Sequence, residues 1–362
     1  MEYILNDVLE IKNGKNQKAV ENSEGQYPIY GSGGVIGYAD DYICDADTVV
    51  IGRKGSINNP IYVSEPFWNV DTAFGLVARR EVLLPRYLFY FCKKFDFEKL
   101  NKTVTIPSLT KSDLLNIKIK LPDIDEQQLV VDKLIRIESV MEFRKQELNV
   151  LDNLIKARFV EMFGDPVKNP KGWEVVTIGD IVTEVRYGTS KPAVEGGKYP
   201  YLRMNNLTAD GHLDLNDLKY IDIPDDEIEK CVVRKGDVLF NRTNSIELVG
   251  KTVVFDLQED MIIAGYIIRV RLNKRLLPEI LSQYMNLEAL KDILRSMAKG
   301  AVNQANINAQ ELQSIKVYIP DMELQKRFIE MKNQVDKSKV AVQKALDEIQ
   351  MLFDSLMQEY FG

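Results

Sequence analysis

The sequence predicts an α+β protein with two mixed α/β modules and two long helices, which form an antiparallel intramolecular coiled coil in a pseudo-two-fold, circular repeat. Three observations predict it: a pattern that occurs twice, long heptad stripes, and matched strand patterns. The pattern runs from Leu109 to Gly164 and again from Ile307 to Gly362, at a constant offset of 198 residues. The predicted segments are modules at 1–122 and 165–320 and helices at 123–164 and 321–362.

The first long helix is predicted from its start signal and its heptads. Asp123 and Glu126 have the spacing of a capping box, and neither proline nor glycine occurs again before Gly164. About 38 residues of helix span roughly 57 Å. The stripe consists of Leu134, Ile137, Met141, Leu148, Leu151, Ile155 and Met162, with interruptions at Arg144 and Arg158.

The second copy carries a matching stripe, which consists of Val335, Lys339, Val342, Leu346, Ile349, Phe353, Leu356 and Tyr360. Exposed heptad stripes need a partner helix, and the other copy is the nearest candidate. Antiparallel pairing is favoured because it would put one module at each end. The alternative is two independent helices, each packed on its own module.

The modules contain strands and shorter helices that match each other more loosely. Thr48–Ile51, Phe74–Ala78 and Tyr266–Leu272 have strand patterns, and helices are predicted after Leu84-Pro85 and Leu277-Pro278. The offset between matched pieces grows from 172 residues (Tyr27 to Tyr199) to 193 (Pro85 to Pro278). A shared framework with divergent loops therefore predicts one scaffold that carries two different binding surfaces.

Composition restricts the class of protein. The chain has 362 residues, which favours two or three domains, with ordinary fractions of hydrophobic (45%) and charged (28%) residues. No run approaches 18 apolar residues, and the first residues lack the pattern of a signal peptide. Three scattered cysteines indicate reduced thiols in a cytoplasm, and the single histidine, His212, weakens zinc and histidine-based catalysis.

No catalytic, cofactor or metal site is predicted. Gly31–Gly37 departs from the dinucleotide-binding pattern G-x-G-x-x-G because its sixth position is Ile36. Acidic residues are many, but none has the spacing of a nuclease cluster. The net charge of −7 does not by itself indicate nucleic-acid binding, and the acidic excess falls mainly on the two long helices.

Polar loops that follow short apolar strands are the candidate DNA-binding elements. Arginine can pair with guanine, asparagine can pair with adenine, and serine, threonine and lysine can hold phosphates. The alternative for each residue is a solvated turn, and recurrence in both modules favours DNA. The candidates are Lys15, Asn16, Lys18, Arg53, Lys54, Ser56, Asn58, Tyr187, Thr189, Ser190, Lys191, Arg203, Asn205, Asn206, Arg242, Thr243, Asn244, Ser245, Lys299, Asn303 and Gln304.

Several segments together resemble a known family. The chain is similar to the specificity subunits of type I restriction-modification systems, and the similarity covers its whole length. The segments that carry the resemblance are Tyr27–Tyr38, Ile106–Thr110, the Leu-Pro-x4-Gln elements at Pro122 and Pro320, Arg242–Ser245 with Val249–Lys251, and Asn303–Asn308. The tails sometimes present in the family are minimal here.

The resemblance implies two target-recognition domains, each of which reads one half of a split sequence in double-stranded DNA. It implies that the helices set the unread spacer and dock two modification subunits, which methylate adenine with S-adenosylmethionine. Two restriction subunits that use ATP and Mg²⁺ are the further implied partners of this cytoplasmic endonuclease complex. The subunit itself would have no catalysis and no cofactor. The alternatives are a protein-binding adaptor and, less favoured, a stand-alone enzyme.

Overall fold

The computed structural model describes residues 1–101, 106–298 and 305–362, which divide into two units. Unit 1 comprises Met1–Lys145 with Gln343–Gly362, and unit 2 comprises Gln146–Val342. Each long helix thus contributes to both units. The predicted four-segment division at residues 122, 164 and 320 places the helices apart from the modules, and it stays a prediction.

Unit 1 begins with a small pair of strands and ends on the long helices. Its strands are β1 (Glu2–Ile4), β2 (Leu9–Asn13), β3 (Tyr27–Gly31), β4 (Gly34–Ala39), β5 (Thr48–Gly52), β6 (Ile61–Val63), β7 (Trp68–Asn69), β8 (Ala73–Ala78) and β9 (Lys118–Lys120). Its helices are α1 (Leu5–Val8), α2 (Pro85–Lys94), α3 (Lys111–Leu115) and the first part of α4 (Ile124–Phe163). A 3₁₀ helix spans Phe97–Leu100.

The described strands of unit 1 form three sheets. One has the order β2-β8-β5-β6, a second has the order β4-β3-β7, and β1 pairs with β9. The strand β5 is buried along its whole length, because it lies between β8 and β6 and carries the apolar run Thr48–Gly52. The loop that follows β5 therefore starts from a fixed point in the core.

Unit 2 repeats this order of elements with additions. Its strands are β10 (Glu174–Thr177), β11 (Val182–Tyr187), β12 (Tyr199–Leu202), β13 (Lys219–Ile221), β14 (Val232–Val233), β15 (Val238–Asn241), β16 (Thr243–Asn244), β17 (Thr252–Val254), β18 (Met261–Ile263), β19 (Ile267–Leu272), β20 (Ala305–Asn306) and β21 (Lys316–Ile319). Its helices are α5 (Ile178–Ile181), α6 (Asp225–Cys231), α7 (Pro278–Met285), α8 (Glu288–Met297), α9 (Ala309–Ser314) and the first part of α10 (Met322–Phe361). A 3₁₀ helix spans Met204–Asn206.

The sheets of unit 2 have the same plan. The order β11-β19-β15-β17 corresponds to β2-β8-β5-β6, and β10 pairs with β21 as β1 pairs with β9. A further sheet has the order β13-β12-β18-β14, and β16 pairs with β20. The short helices α1 and α5, which follow the first strand of each unit, are held by equivalent hydrogen bonds. Leu5 N donates to Ile117 O in unit 1, and Ile178 N donates to Ile315 O in unit 2, both at 2.9 Å. The predicted α+β repeat is confirmed.

The two long helices have the predicted extents to within one residue at most boundaries. The helix α4 begins after Asp123, whose Oδ1 accepts from Glu126 N at 2.9 Å. It ends at Phe163, and Gly164 follows with φ +91°, a conformation that favours glycine. Among the residues that the structure describes, neither this helix nor any other is apolar enough over its length to span a bilayer.

Contacts within each unit run antiparallel between the helices. In unit 1, Lys133 Nζ donates to Tyr360 Oη at 3.2 Å, so the beginning of α4 lies beside the end of α10. In unit 2, Asp152 forms an ion pair with Lys339, and the ring of Phe159 lies 5.3 Å from that of Phe328. Antiparallel pairing is confirmed within each unit, and these contacts exclude helices that pack only on their own modules.

A buried glutamine joins each long helix to its module. Gln127 is 0% exposed, and its Oε1 accepts from Leu84 N at 2.9 Å. Its Nε2 donates to Val82 O at 2.9 Å and to Pro122 O at 3.0 Å. The side-chain amide therefore satisfies the backbone at the start of α2 and at the end of the segment that leads into α4.

Gln325 repeats these bonds in unit 2. It is also 0% exposed, and its Oε1 accepts from Leu277 N at 2.9 Å. Its Nε2 donates to Arg275 O at 3.1 Å and to Pro320 O at 2.8 Å. The residues that match at the offset of 198 thus make equivalent contacts.

We predict that Gln127→Leu destabilises unit 1 by roughly 2–4 kcal/mol, because it leaves buried backbone groups without partners. The matched control is Gln128→Leu, since the neighbouring Gln128 is exposed and its Nε2 donates only to Asp132 on the same helix, at 2.8 Å. This control should change stability by no more than about 0.5 kcal/mol. Urea unfolding of the two variants checks the prediction, and equal effects would contradict it.

Candidate nucleic-acid interface

Arg53 lies at the point where β5 leaves the core of unit 1. Its backbone N donates to Thr72 O at 2.8 Å, and its backbone O accepts from Leu109 N at 2.9 Å. The exposed guanidinium group contacts Asp71 O through Nη1 at 3.5 Å and lies 5.7 Å from the ring centre of Phe74. The backbone is therefore fixed while the side chain faces solvent.

Arg242 has the same place at the end of β15 in unit 2. Its backbone N donates to Tyr266 O at 3.0 Å, and its backbone O accepts from Ile307 N at 2.9 Å. Its Nη1 lies 3.5 Å from Gly265 O, and its guanidinium group lies 5.0 Å from the ring centre of Tyr187. The two arginines are structural equivalents, as the loose alignment of the modules predicts.

A cleft of about 590 Å³ opens beside Arg242 in unit 2. It brings together predicted residues from three separate stretches of the sequence: Thr189, Ser190, Lys191, Arg203, Asn205 and Arg242. Tyr201 and Tyr266 also line it. Tyr266, which is 51% exposed, was not predicted because the sequence pattern assigns it to the first residue of a strand.

Backbone contacts hold one wall of the cleft close to β18. Thr189 N donates to Ile263 O at 2.9 Å, and Gly265 N donates to Thr189 O at 2.7 Å. Gly188 is required here, since a Cβ atom at this position would lie 2.2 Å from Ile263 O. The hydroxyl of Tyr201 donates to Thr189 O at 3.2 Å.

The cations of the cleft differ in their partners. Arg203 Nη2 bonds to Asp217 Oδ2 at 2.7 Å, and Lys191 Nζ pairs with Glu227 at 2.8 Å. These pairs neutralise part of the positive charge. Arg242 instead contacts a ring face and a backbone carbonyl, so its guanidinium group keeps its charge available for an anionic or acceptor-rich ligand.

A family model described as the type I restriction modification DNA specificity domain matches residues 1–153 and 170–350. The chain belongs to this family. It is therefore a DNA-specificity component of a type I restriction-modification system and has no enzyme activity of its own.

Named relatives agree with this assignment. The EcoKI specificity subunit of Escherichia coli K12 is 23% identical over 335 residues, which cover 86% of this chain and 72% of that protein. A putative MjaX specificity subunit of Methanocaldococcus jannaschii is 29% identical over 196 residues, 53% of this chain and about half (46%) of that protein.

Two solved structures share the fold of the chain. The S subunit of a type I restriction-modification system from M. genitalium has a TM-score of 0.59 at 16% identity, with 100% of this chain and 96% of that chain covered. A chain from a study of complex assembly and conformational transition of the type I R-M system has a TM-score of 0.61 at 19% identity, with 100% and 97% covered.

Some of the predicted contact residues in this specificity subunit are buried. Asn206 is 2% exposed, and its Oδ1 accepts from Arg203 N while its Nδ2 donates to Asp214 O, both at 2.8 Å. Thr243 is 8% exposed, and its hydroxyl donates to Asn306 Oδ1 at 2.9 Å. These side chains support the loops and do not face solvent in this structure, and their predicted contact with DNA stays a prediction.

Asn244 and Asn58 also use their side chains within the protein. Asn244 Nδ2 donates to Asn241 Oδ1 at 3.0 Å, and Asn58 Oδ1 accepts from Phe97 N at 2.7 Å. Tyr187 is 43% exposed, and its hydroxyl accepts from Ala309 N at 2.8 Å.

Other predicted residues lie on exposed loops outside the cleft. Lys54, Ser56 and Ser245 are exposed beside the two arginines. Asn16 Oδ1 accepts from Lys18 N at 2.9 Å in an exposed turn that also contains Lys15. Lys299, Asn303 and Gln304 lie outside the residues that the structure describes, so their contacts stay predictions.

Asn205 and Asn206 are neighbours in the sequence but have different surroundings. Asn206 is buried and supports the turn, whereas Asn205 is exposed in the cleft. We predict that Asn206→Ala lowers the stability of unit 2 by about 1–3 kcal/mol, because it removes two buried hydrogen bonds from the turn. Asn205→Ala, at an exposed position in the cleft, should leave stability unchanged and weaken DNA binding. Thermal unfolding and DNA-binding measurements on both variants check this, and a reversal of the two effects would contradict it.

Proposed function

We propose that unit 1 and unit 2 each read one half of a bipartite sequence in double-stranded DNA. The observation that carries the proposal is the equivalence of Arg53 and Arg242, which stand at the ends of matching buried strands with the same backbone contacts. Arginine is the side chain that most often reads guanine, through paired bonds to O6 and N7. A fixed backbone suits that task, and the side chain is exposed at Arg53 and half-buried at Arg242.

Different surroundings would give the two units different specificities. Arg53 lies near the Phe74 ring, in a loop with exposed Lys54 and Ser56, whereas Arg242 lies over Tyr187 beside a cleft. Base reading depends on which donors and acceptors surround such an arginine. The shared frame with unlike loops therefore supports an asymmetric target, in which the half-sites differ.

We further infer that the long helices set the DNA spacer and dock modification subunits. Apolar side chains on these helices remain exposed within their own units, the largest fractions being Phe143 at 68%, Val150 at 65%, Val340 at 70% and Met351 at 64%. Exposed apolar groups on acidic helices suit protein partners better than phosphates. A non-catalytic adaptor would share this surface, and the DNA experiments below distinguish it.

The partners would supply the chemistry. Two modification subunits would methylate adenine with S-adenosylmethionine, and two restriction subunits would use ATP and Mg²⁺, while this chain would bind no cofactor. Cys44, Cys92 and Cys231 are buried and unpaired, which fits a reducing compartment such as the cytoplasm.

We predict that Arg53→Ala and Arg242→Ala each alter one half of the target. Loss of a paired contact to guanine should lower discrimination at one position by about 1–3 kcal/mol, a factor of roughly 5 to 150. Arg→Lys at the same position keeps the charge but loses the paired geometry, so it should also relax reading. Sequencing of methylated adenines in cells with and without each variant measures the target.

The unaltered half of the target serves as the internal control for each arginine variant. Equal loss at both halves after a single substitution would contradict modular reading. Unchanged adenine methylation on deletion of the whole chain would contradict the proposed function itself and favour the adaptor.

We also predict that matched insertions of one helical turn in α4 and α10 lengthen the DNA spacer. A turn adds about 5.4 Å, which corresponds to one or two base pairs of duplex at about 34 Å per ten. The same methylation sequencing measures the spacer. An active variant that methylates the original spacing would contradict a spacer role for the helices.

A further inference from the structure

Two lysines lie buried near the cleft of unit 2. Lys251 and Lys291 are each 8% exposed. Lysine is almost never buried to this extent unless it is paired. Neither residue is among the predicted DNA-binding residues. The sequence around each lysine gives no sign that it is buried.

Lys291 joins α8 to the loop that follows Arg242. Its Nζ donates to Gly250 O at 2.7 Å and to Asn286 Oδ1 at 2.9 Å. Asn286 Nδ2 in turn donates to Thr252 O at 2.6 Å. Gly250 has φ +81°, and a Cβ atom there would lie 2.5 Å from Cδ1 of Leu294, so the loop is packed tightly against α8.

Lys251 connects the same loop to the turn that carries Arg203 and Asn205. Its Nζ donates to Met204 O at 2.9 Å, and Met204 lines the cleft between Arg203 and Asn205. Its backbone O accepts from Asn241 N at 2.8 Å, immediately before Arg242. Through these two ammonium groups, the loop that follows Arg242 is held both to the turn of Arg203 and to α8.

The charges near Lys291 are mixed. Burial is the main cause that lowers its pKa, from an ordinary 10.5 to about 8, and the cations of Arg295 and Lys251 lower it further. The Glu288 carboxylate opposes these effects, but Glu288 also pairs with Arg295. Burial likewise lowers the pKa of Lys251.

We propose that Lys251 and Lys291 are positioning residues for DNA reading by unit 2. Lys251 holds Met204 in the lining of the cleft, Lys291 holds the loop that contains Lys251, and the positive charges of both favour the approach of a polyanion. The inference rests on the proposed function of the cleft in reading DNA. It adds a group that acts through Arg242 and Arg203 without contact with the DNA.

The proposal predicts that the affinity for DNA falls as the pH rises. Approach of the DNA polyanion favours the protonated form of Lys291, so binding takes up a proton above about pH 8 and affinity falls as the pH rises. The stability of the folded protein changes with pH in the opposite direction. The unfolded chain keeps this proton up to the ordinary pKa of 10.5, so the contribution of Lys291 to stability rises between about pH 8 and that value.

The test uses the complex with its modification subunits and a fluorescent DNA duplex. The duplex carries the target sequence that methylation sequencing identifies. If DNA raises the pKa of Lys291 by about one unit, affinity should fall roughly tenfold from pH 7 to pH 9.5. Lys291→Arg should bind at pH 7 like the native chain with a flatter profile, because arginine does not titrate in this range. Lys291→Met should bind more weakly at pH 7, also with a flatter profile.

Further readouts separate positioning from folding and from the proposed function. Methylation sequencing with Lys251→Met should relax only the half of the target that Arg242→Ala relaxes. Thermal unfolding against pH reports the effect on stability. A native pH profile that Lys291→Arg leaves unchanged would overturn this inference alone, whereas absence of DNA binding by the native complex at every pH would overturn the proposed function.

Discussion

The buried amides of Gln127 and Gln325 are the constraint on which the two units depend. Each amide joins backbone groups at the start of a module helix, at the residues before it, and at the proline that precedes a long helix. A buried amide with unmet hydrogen bonds is costly, so these three segments must keep a fixed geometry. The same contacts form in both units, although the glutamines match at an offset of 198 residues and their partners Leu84 and Leu277 match at 193.

Loops beyond this frame carry no such constraint. The strands β5 and β15 deliver Arg53 and Arg242 to equivalent points, yet the following residues differ in length and in partners. In unit 2 the loops beside Arg242 line a cleft, and the buried Lys251 and Lys291 hold the loop that follows Arg242. A constant frame suits a protein that docks the same type of partner twice. Divergent loops suit a protein whose two units read different DNA half-sites.

The sequence predicts the frame well because its signals are local. The Asp123 cap, the heptad stripes and Gly164 define α4, and each acts within a few residues. It predicts the interface less well, because burial there depends on distant partners. Thr243 is buried against Asn306, 63 residues away, and Lys251 bonds to Met204, 47 residues away, so no local pattern reveals either contact.

The central claim is that one invariant frame carries two DNA-reading surfaces, and amide hydrogen exchange with and without target DNA tests it most directly. The amides of Leu84 and Leu277, which donate to the buried glutamines, should exchange slowly in both states. The loops that follow Arg53 and Arg242 should exchange quickly in the free complex and become protected together when DNA binds. Protection in one unit only, or fast exchange at Leu84 and Leu277, would contradict the account.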